Sequence, residues 1–331
     1  MSEVNRQWLL ARRPVGMVEE SDFELTTTPL PIPGEGQLLI RNRMLAFEPA
    51  MRGWIDDKPS YMPPVPIGEV MRGMAVGEVV ESNLPGTDPG DVVTGMMGWQ
   101  EFAIGDRGAR KVPLGVDPAL ALSVLGITGI TAYFGLLEIG RPKEGDTVVV
   151  SGAAGATGSV VGQIAKLKGC RVVGIAGGAE KCTWLTNKAH FDAAIDYKSE
   201  DVGGRLDELC RDGIDVFFDN IGGEILDESL ARIARGARIV ICGSISGYNT
   251  EKKQPGPKNY YNIVQKRARM EGFIVMDFLP RAAEAVAELT TWVAKGSIVW
   301  KADLQRGFES APKTLLRLYS GANFGKQLLE I

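Results

Sequence analysis

Histidine and cysteine are scarce in this sequence of 331 residues, which holds one histidine and four cysteines. The single histidine excludes a metal centre of several histidines, and a Ser-His-Asp triad would have to use that one residue. His190 occupies the polar connection 187–192, which is typical of a surface turn, so we assign it no role. The cysteines are scattered through the second half of the chain, without the paired spacing of a zinc site or the density of a disulfide framework. The sequence therefore predicts no metal site.

Long hydrophobic runs are also missing from the sequence. Apolar runs such as 147–150 and 214–218 have the length of a strand, well below the ~20 residues that span a membrane. Residues 1–13 lack the apolar core and the small-residue cleavage site of a signal peptide. The net charge of −4 gives no general attraction to nucleic acid or to an anionic membrane. We therefore expect a cytoplasmic protein with neither a membrane nor a nucleic acid as its partner.

Two regions of different character divide the chain, as expected for a length beyond the usual single domain. The first, up to about residue 120, is dense in glycine and proline and contains short strand-like segments between turns. In the second, apolar strands alternate with helical stretches. The predicted strands are 37–45, 73–82, 91–95, 147–151, 171–176, 193–195, 214–220, 238–243, 272–276, 297–300 and 327–331. The predicted helices are 118–137, 158–168, 180–188, 201–211, 224–234, 281–295 and 311–319.

Strands that are apolar throughout and alternate with helices indicate a parallel sheet covered on both faces. Because crossovers between parallel strands are right-handed, such a sheet is doubly wound. The last strands and the helix between them are expected to return to the β-rich domain and complete it. The predicted class is therefore α/β, with a Rossmann-type doubly wound sheet at 124–300 and a discontinuous β-rich domain at 1–123 and 301–331.

A glycine-rich sequence, S-G-A-A-G-A-T-G-S-V-V-G, occupies residues 151–162. Gly155 and Gly158 fit the last two glycines of G-x-G-x-x-G, whereas Ala153 replaces the first. The segment follows a predicted strand and opens a predicted helix, whose free N–H groups would point at a pyrophosphate. The alternative, a glycine turn that only packs helix on strand, is disfavoured by the strand–helix units that follow. The sequence therefore predicts a dinucleotide site.

The end of the second strand of this region distinguishes between the two nicotinamide dinucleotides. An NAD site usually has an Asp or Glu there, to hold the ribose 2′-hydroxyl. Here the strand 171–176 runs into Gly177 and Gly178 with no acidic residue, and Lys181 follows. A cation beside small residues leaves room for a 2′-phosphate and neutralises it, although a lysine in a helix is most often simply solvated. The missing acid favours NADPH.

Longer motifs of the chain carry a family resemblance. They are E-P-A-M-R-G at 48–53, L-G-I-T-G-I-T-A-Y-F-G-L-L at 125–137, A-A-G-A-T-G at 153–158, G-Q-I-A-K-L-K-G-C at 162–170, F-D-N-I-G-G at 218–223, C-G-S-I-S-G-Y-N at 242–249 and G-A-N-F-G-K at 321–326. In this order they closely resemble the leukotriene hydroxydehydrogenase/prostaglandin reductase group of zinc-independent medium-chain dehydrogenases/reductases. That group includes plant alkenal double-bond reductases and bacterial proteins similar to curcumin reductase. The resemblance spans essentially the whole chain.

The resemblance implies a GroES-like domain built from both ends of the chain, a Rossmann domain that binds NADPH, and a homodimer. The residues that it places along the cofactor are Gly155, Ala156, Thr157 and Gly158 at the pyrophosphate, Gly178, Lys181 and Tyr197 at the 2′-phosphate, and Thr131, Asn220, Cys242, Gly243, Ser244, Ile245, Ser246, Tyr248, Phe273, Ile274, Val275 and Asn323 along the rest. The candidate substrate residues are Met51, Arg52, Trp54 and Tyr61, in the domain where the resemblance puts the substrate mouth, and Tyr260 of the Pro-rich loop 254–262. Taken singly, such residues lie more often in a core or on a surface.

The family commonly has D-P-Y-M-R where this chain has E-P-A-M-R-G. Ala50 therefore stands where relatives often carry a tyrosine, which removes a bulky ring from the substrate side. For this reason the substrate preference of the relatives does not carry over to this chain.

The activity that the resemblance implies is NADPH-dependent reduction of the carbon–carbon double bond of an enal or enone, with hydride going to the β-carbon. Such a reaction needs a hydrogen-bond donor at the carbonyl oxygen, where negative charge develops. A tyrosine suits this role because it stays protonated at neutral pH. Tyr248 is the first candidate, since it follows the end of the predicted strand 238–243, the side where doubly wound sheets bind ligands. Tyr260 and Tyr261 are weaker candidates, and a ribose hydroxyl or a water remains an alternative proton source.

Two other functions stay open at this point. The closer rival is a zinc-free NADPH quinone reductase, which shares the fold and the cofactor. The more distant rival is a structural or regulatory protein that binds NADPH without turnover.

Replacing Lys181 by alanine tests the assignment of the 2′-phosphate. We expect Lys181→Ala to raise KM for NADPH far more than KM for NADH, because only NADPH carries the phosphate that this lysine would neutralise. Steady-state kinetics with the two nucleotides measure the difference, and NADH serves as the internal control. Equal changes in the two KM values would refute the assignment.

Overall fold

The computed structural model describes residues 4–251 and 255–331 and separates the chain into two units. One unit combines the residues up to Ser123 with Ala302–Ile331, and the other is Val124–Lys301. Within the described ranges, no helix combines the length and the apolar character needed to cross a membrane. Each unit has its own sheet and its own buried core.

The β-rich unit begins with an antiparallel pair and continues into a larger, mostly antiparallel sheet. Its first strands are β1 (Val4–Leu10), β2 (Phe23–Pro29), β3 (Leu38–Ala46), β4 (Ala75–Ser82), β5 (Val92–Gly95), β6 (Phe102–Gly105) and β7 (Arg110–Lys111), and its first helices are α1 (Met51–Trp54) and α2 (Pro118–Leu122). The inward side chains of these strands form a core around Trp99 and Phe47, both buried. The two rings contact each other, with centroids 5.0 Å apart.

The second unit contains a six-stranded parallel sheet in the order β10-β9-β8-β11-β12-β13. These strands are β8 (Thr147–Ser151), β9 (Arg171–Ala176), β10 (Ala193–Asp196), β11 (Ile214–Asp219), β12 (Ile233–Ile241) and β13 (Arg269–Gly272). The central strands β8 and β11 are almost fully buried, which explains why their sequences are nearly continuous apolar runs. The strand order reverses between β8 and β11, and such a reversal opens a crevice at the carboxyl ends of the two strands.

Helices precede, connect and follow the parallel strands of this unit. They are α3 (Ile127–Phe134), α4 (Ala156–Leu167), α5 (Ala179–Asn187), α6 (Val202–Leu209), α7 (Gly223–Leu230), α8 (Ile245–Tyr248), α9 (Asn262–Lys266) and α10 (Ala282–Ala294). A wider helical turn, Gly135–Gly140, extends α3, and 3₁₀ segments occupy Lys258–Tyr261 and Val275–Arg281. The last of these leads directly into α10.

The chain then returns to the sheet of the β-rich unit through β14 (Ala302–Arg306), α11 (Ala311–Tyr319) and β15 (Lys326–Glu330). β15 lies between β14 and β3, parallel to the first and antiparallel to the second. Leu328 and Leu329 of β15 are completely buried. The predicted α/β class, a doubly wound parallel sheet with a discontinuous β-rich domain, is confirmed.

Four local predictions are wrong. The helix expected at 224–234 ends with α7 at Leu230, because β12 begins at Ile233. The helix expected at 118–137 is interrupted, because Gly126 is extended and forms the N-cap of α3. The strand expected at 272–276 lies earlier, as β13, because its partner β12 ends at Ile241, which pairs with Gly272. The strand expected at 297–300 does not form. Gln163 bonds both the N–H and the C=O of Val299, at 2.7 and 2.9 Å, so that a neighbouring strand cannot use them.

Candidate functional site

The glycine-rich turn joins the end of β8 to the N-terminus of α4. Its conformation requires glycine at two positions. Gly152 has φ +59°, and a Cβ atom at Gly158 would lie 2.4 Å from the carbonyl oxygen of Gly152. Gly155 is the N-cap of α4, so the helix N-terminus points out of the sheet at its carboxyl edge. This is the arrangement that binds a pyrophosphate.

Across the strand reversal, the ends of β8 and β11 are joined by side chains. Ser151 Oγ donates to Asp219 Oδ1 at 2.7 Å and accepts from the backbone N–H of Asn220 at 2.8 Å. Asn220 Nδ2 donates in turn to the carbonyl oxygen of Ser151 at 2.7 Å. These bonds fix Asn220 at the mouth of the crevice.

Asp219 also organises the turn that follows β11. Its carboxylate accepts from the N–H groups of Ile221 and Gly222, each at 3.0 Å. Burial raises the pKa of Asp219, and its bonds with Ser151 and these two N–H groups oppose the rise. Gly222 has φ +72°, and a Cβ there would lie 2.5 Å from Ser244 Oγ. The turns after β11 and β12 therefore contact each other closely.

The turn after β12 carries Tyr248 and borders a cavity of about 500 Å³. The N–H groups of Cys242 and Gly243 donate to the Asp219 carbonyl oxygen at 2.9 and 3.1 Å. Tyr248 Oη accepts from the N–H of Ser244 at 3.2 Å. The cavity is lined by Ile241, Cys242, Gly243, Ser244, Tyr248, Gly272, Phe273, Ile274 and Asp277. A tyrosine and residues of the turns after β12 and β13 therefore border an open space large enough for a flat ring.

At the end of β9, Gly178 has φ +102° and forms the N-cap of α5, which carries Lys181. Asp196 Oδ1 accepts from the N–H of Gly178 at 2.7 Å and from that of Lys198 at 3.0 Å. A Cβ at Gly177 would lie 2.8 Å from the ring of Tyr197 and 2.9 Å from Cε of Lys198. The structure thus brings Tyr197 and Lys198 onto the glycine turn ahead of α5.

The other predicted residues are placed as follows. Thr131 lies in α3, where its hydroxyl donates to Ile127 O at 2.7 Å, and Val275 begins the 3₁₀ segment beside the cavity. Tyr260 is 62% exposed and does not line the cavity. Asn323 belongs to the β-rich unit, where its side chain donates to Gly325 O at 3.1 Å.

Three of the four candidate substrate residues of the β-rich unit are buried. Met51 and Trp54 belong to its hydrophobic core, and Arg52 forms an ion pair with Asp56. Trp54 Nε1 donates to Tyr61 Oη at 3.0 Å, and Tyr61 is half exposed. Of this set, Tyr61 presents the most surface to a small molecule.

Sequence reasoning does not single out four residues that organise these turns: Ser151, Asp219, Asp196 and Lys198. A polar residue at the carboxyl end of each of three predicted strands is the signal that would have found Ser151, Asp219 and Asp196. Among the residues that the structure describes, no group of three or more His, Cys, Asp or Glu side chains is placed to hold a metal ion.

Comparisons with known proteins agree with this architecture. Residues 6–112 match the family described as the N-terminal domain of oxidoreductase, and residues 156–294 match the family described as zinc-binding dehydrogenase. NADPH-dependent curcumin reductase of Escherichia coli is 44% identical, covering 99% of this chain and 97% of the relative. An NADP(+)-dependent 2-alkenal reductase of Nicotiana tabacum is 38% identical, covering 99% and 97%. This chain belongs to the leukotriene hydroxydehydrogenase/prostaglandin reductase group of medium-chain dehydrogenases/reductases.

One solved structure is similar to this chain over nearly its whole length. CurA from Vibrio vulnificus in complex with NADPH is 43% identical and superposes with a TM-score of 0.94, covering 98% of each chain. The family predicted from the motifs is confirmed. The described side chains do not form the ligand set that the name zinc-binding dehydrogenase suggests.

Cys242 lines the cavity, and its thiol gives a test of the local environment. Burial raises the pKa of this thiol to about 12, and the charge of Asp219 adds to the effect. Because only the thiolate is alkylated, we expect the iodoacetamide labelling rate of Cys242 to rise about tenfold per pH unit up to about pH 10 without a plateau. Mass spectrometry of the Cys242 peptide measures the rate, with N-acetylcysteine in the same tube as control. A plateau at the pH where the control levels off would contradict the assigned environment.

Proposed function

We propose that this protein is an NADPH-dependent reductase of the carbon–carbon double bond of α,β-unsaturated aldehydes and ketones, and that it works without zinc. One observation carries the proposal: a cavity bordered by Tyr248 lies on the same sheet edge as the glycine-rich turn. The names of the relatives support the same class of substrate, since they include a curcumin reductase and a 2-alkenal reductase.

The cofactor is NADPH, and the described residues fit it. The turn from Gly155 to Gly158 holds the pyrophosphate at the N-terminus of α4, where a side chain at Gly158 would collide with the backbone. Gly178, Lys181 and Tyr197 would hold the 2′-phosphate, and Asn220 with the turn 242–248 would hold the nicotinamide end. When bound, NADPH supplies the hydride for the reduction.

The protein's own groups position the substrate and stabilise charge. Tyr248 donates a hydrogen bond to the carbonyl oxygen of the substrate, on which negative charge develops as the β-carbon is reduced. The same hydroxyl accepts from the N–H of Ser244 at 3.2 Å, which ties the ring to the start of the turn 242–248. The apolar side chains of Phe273 and Ile274 keep water from the reacting carbons.

In this proposal the two units have different roles. The Val124–Lys301 unit binds the cofactor, and the discontinuous β-rich unit supplies substrate contacts, of which Tyr61 is the most exposed candidate. Assembly as a homodimer and a cytoplasmic location stay predictions from the sequence.

A substrate panel separates this function from its rivals. We expect purified protein to oxidise NADPH with an aliphatic 2-alkenal and with a simple enone, faster than with a simple quinone and faster than with NADH as donor. Product analysis should show the saturated carbonyl compound. Higher kcat/KM for the quinone would favour the quinone reductase. NADPH protection against thermal unfolding, with no oxidation by any member of the panel, would favour the non-catalytic binding protein.

Removing the Tyr248 hydroxyl tests its role as donor. We expect Tyr248→Phe to lower kcat about 100-fold, the usual cost of losing one donor to a developing oxyanion, without change in the melting temperature. The matched control is Tyr133→Phe, which removes the same hydroxyl from α3 of the same unit, outside the cavity. Turnover of Tyr248→Phe at the wild-type rate would remove this tyrosine from the chemistry.

A further inference from the structure

We propose that Ser151 and Asp219 are positioning residues, and that their hydrogen bond across the strand reversal sets the orientation of Asn220 and of the turn 242–248. This inference rests on the proposed function, because it concerns the nicotinamide end of the same site. It adds two residues that do not line the cavity and act through others.

Neither residue is accessible to a ligand. The side chains of Ser151 and Asp219 are both 0% exposed, at the carboxyl ends of the neighbouring strands β8 and β11. Buried polar groups of this kind are retained where every donor and acceptor finds a partner. Here the serine hydroxyl donates a hydrogen bond to Asp219 and accepts one from the N–H of Asn220, so it acts as donor and acceptor at once.

Backbone hydrogen bonds connect the residues beside the Ser151–Asp219 bond to the turn that carries Tyr248. The carbonyl oxygen of Asp219 accepts from Cys242 and Gly243, and that of Asn220 accepts from Ile245 at 3.3 Å. The carbonyl oxygen of Ile221 accepts from both the N–H and the hydroxyl of Ser246, at 3.1 and 2.6 Å. A rotation of the peptide after Asp219 would therefore move the whole turn 242–248.

The bonds that shape the phosphate-binding turns do not use the Ser151 hydroxyl or the Asp219 carboxylate. Gly178 donates to Asp196, on the opposite side of the sheet order. The glycine-rich turn begins at Ser151, but its own backbone bonds run from the N–H of Ala153 to Ile175 O at 3.0 Å and from the N–H of Gly155 to Gly152 O at 2.9 Å. Loss of the Ser151–Asp219 bond should therefore leave most of the cofactor affinity in place. It should instead misalign the nicotinamide end, and small errors of alignment slow hydride transfer strongly.

The test compares Ser151→Ala with Ser229→Ala. Ser229 is also 0% exposed and donates to Ile225 O at 2.8 Å in α7, so its replacement removes an equally buried hydroxyl outside the network. We expect hydrogen exchange of the amides of residues 220–222 in the protein without nucleotide to be about tenfold faster in Ser151→Ala only. Asp219→Ala, which removes the acceptor of the same bond and of the amides of Ile221 and Gly222, gives a second route to the same loss.

Kinetics provide the second readout. For Ser151→Ala we expect kcat to fall about tenfold and KM for NADPH to change less than about twofold. The primary isotope effect with NADPH deuterated at the transferred hydrogen should increase, because hydride transfer becomes more rate-limiting. Ser151→Thr, which restores a hydroxyl, should recover part of kcat, whereas Ser229→Ala should match the wild type in both kcat and the isotope effect.

The outcomes separate this inference from the proposed function. If amide exchange and the isotope effect of Ser151→Ala equal those of Ser229→Ala, the positioning role is wrong while the reductase assignment stands. If KM rises as much as kcat falls, Ser151 supports binding in general and the inference is overturned. If the wild-type protein neither binds NADPH in a fluorescence titration nor oxidises it, the proposed function fails and the inference fails with it.

Discussion

The reversal of strand order between β8 and β11 is the constraint on which the second unit depends. Because the chain leaves these neighbouring strands in opposite directions along the sheet, no connection covers their carboxyl ends. The turns after β8, β11 and β12 fill the edge of this gap by close backbone approach. Glycine stands at each contact, since a Cβ at Gly158 or Gly222 would collide with the neighbouring turn or with its own backbone. The crevice is therefore bordered by backbone groups and by a few polar side chains.

Much of the second unit could be predicted from its sequence. Buried parallel strands such as β8 and β11 read as short apolar runs, and each is followed by a helix of regular period. The β-rich unit was harder to predict, because strands such as β6 and β7 span only 4 and 2 residues. Their pairing comes from long-range contacts that no local pattern expresses. The second unit also has a contact that no local pattern expresses, since the bonds of Gln163 to Val299 join positions 136 residues apart.

The residues of the candidate site differ in the same way: the sequence predicts some of them, and others depend on contacts between distant positions. Glycines, a lysine and a tyrosine that follow predicted strands can be placed at the sheet edge from spacing alone. The Ser151–Asp219 bond cannot, because it joins residues 68 positions apart and depends on β8 and β11 being neighbours. Apolar residues near a presumed mouth are equally ambiguous. Met51 and Trp54 have the composition of a pocket wall, yet both are buried in the core of their unit.

The position of β15 between β14 and β3 has a consequence for the nascent chain on the ribosome. The segment 124–301 is synthesised before β15, and it contains every strand of its own sheet. It can therefore fold as soon as it emerges, whereas β3 must wait for the partner that pairs with its residues Met44–Ala46. Until then Met44–Ala46 lack their partner on that edge, and an unpaired strand edge is a template for pairing with other chains. The internal segment 124–301 can therefore complete its sheet before the unit that is built from both ends of the chain.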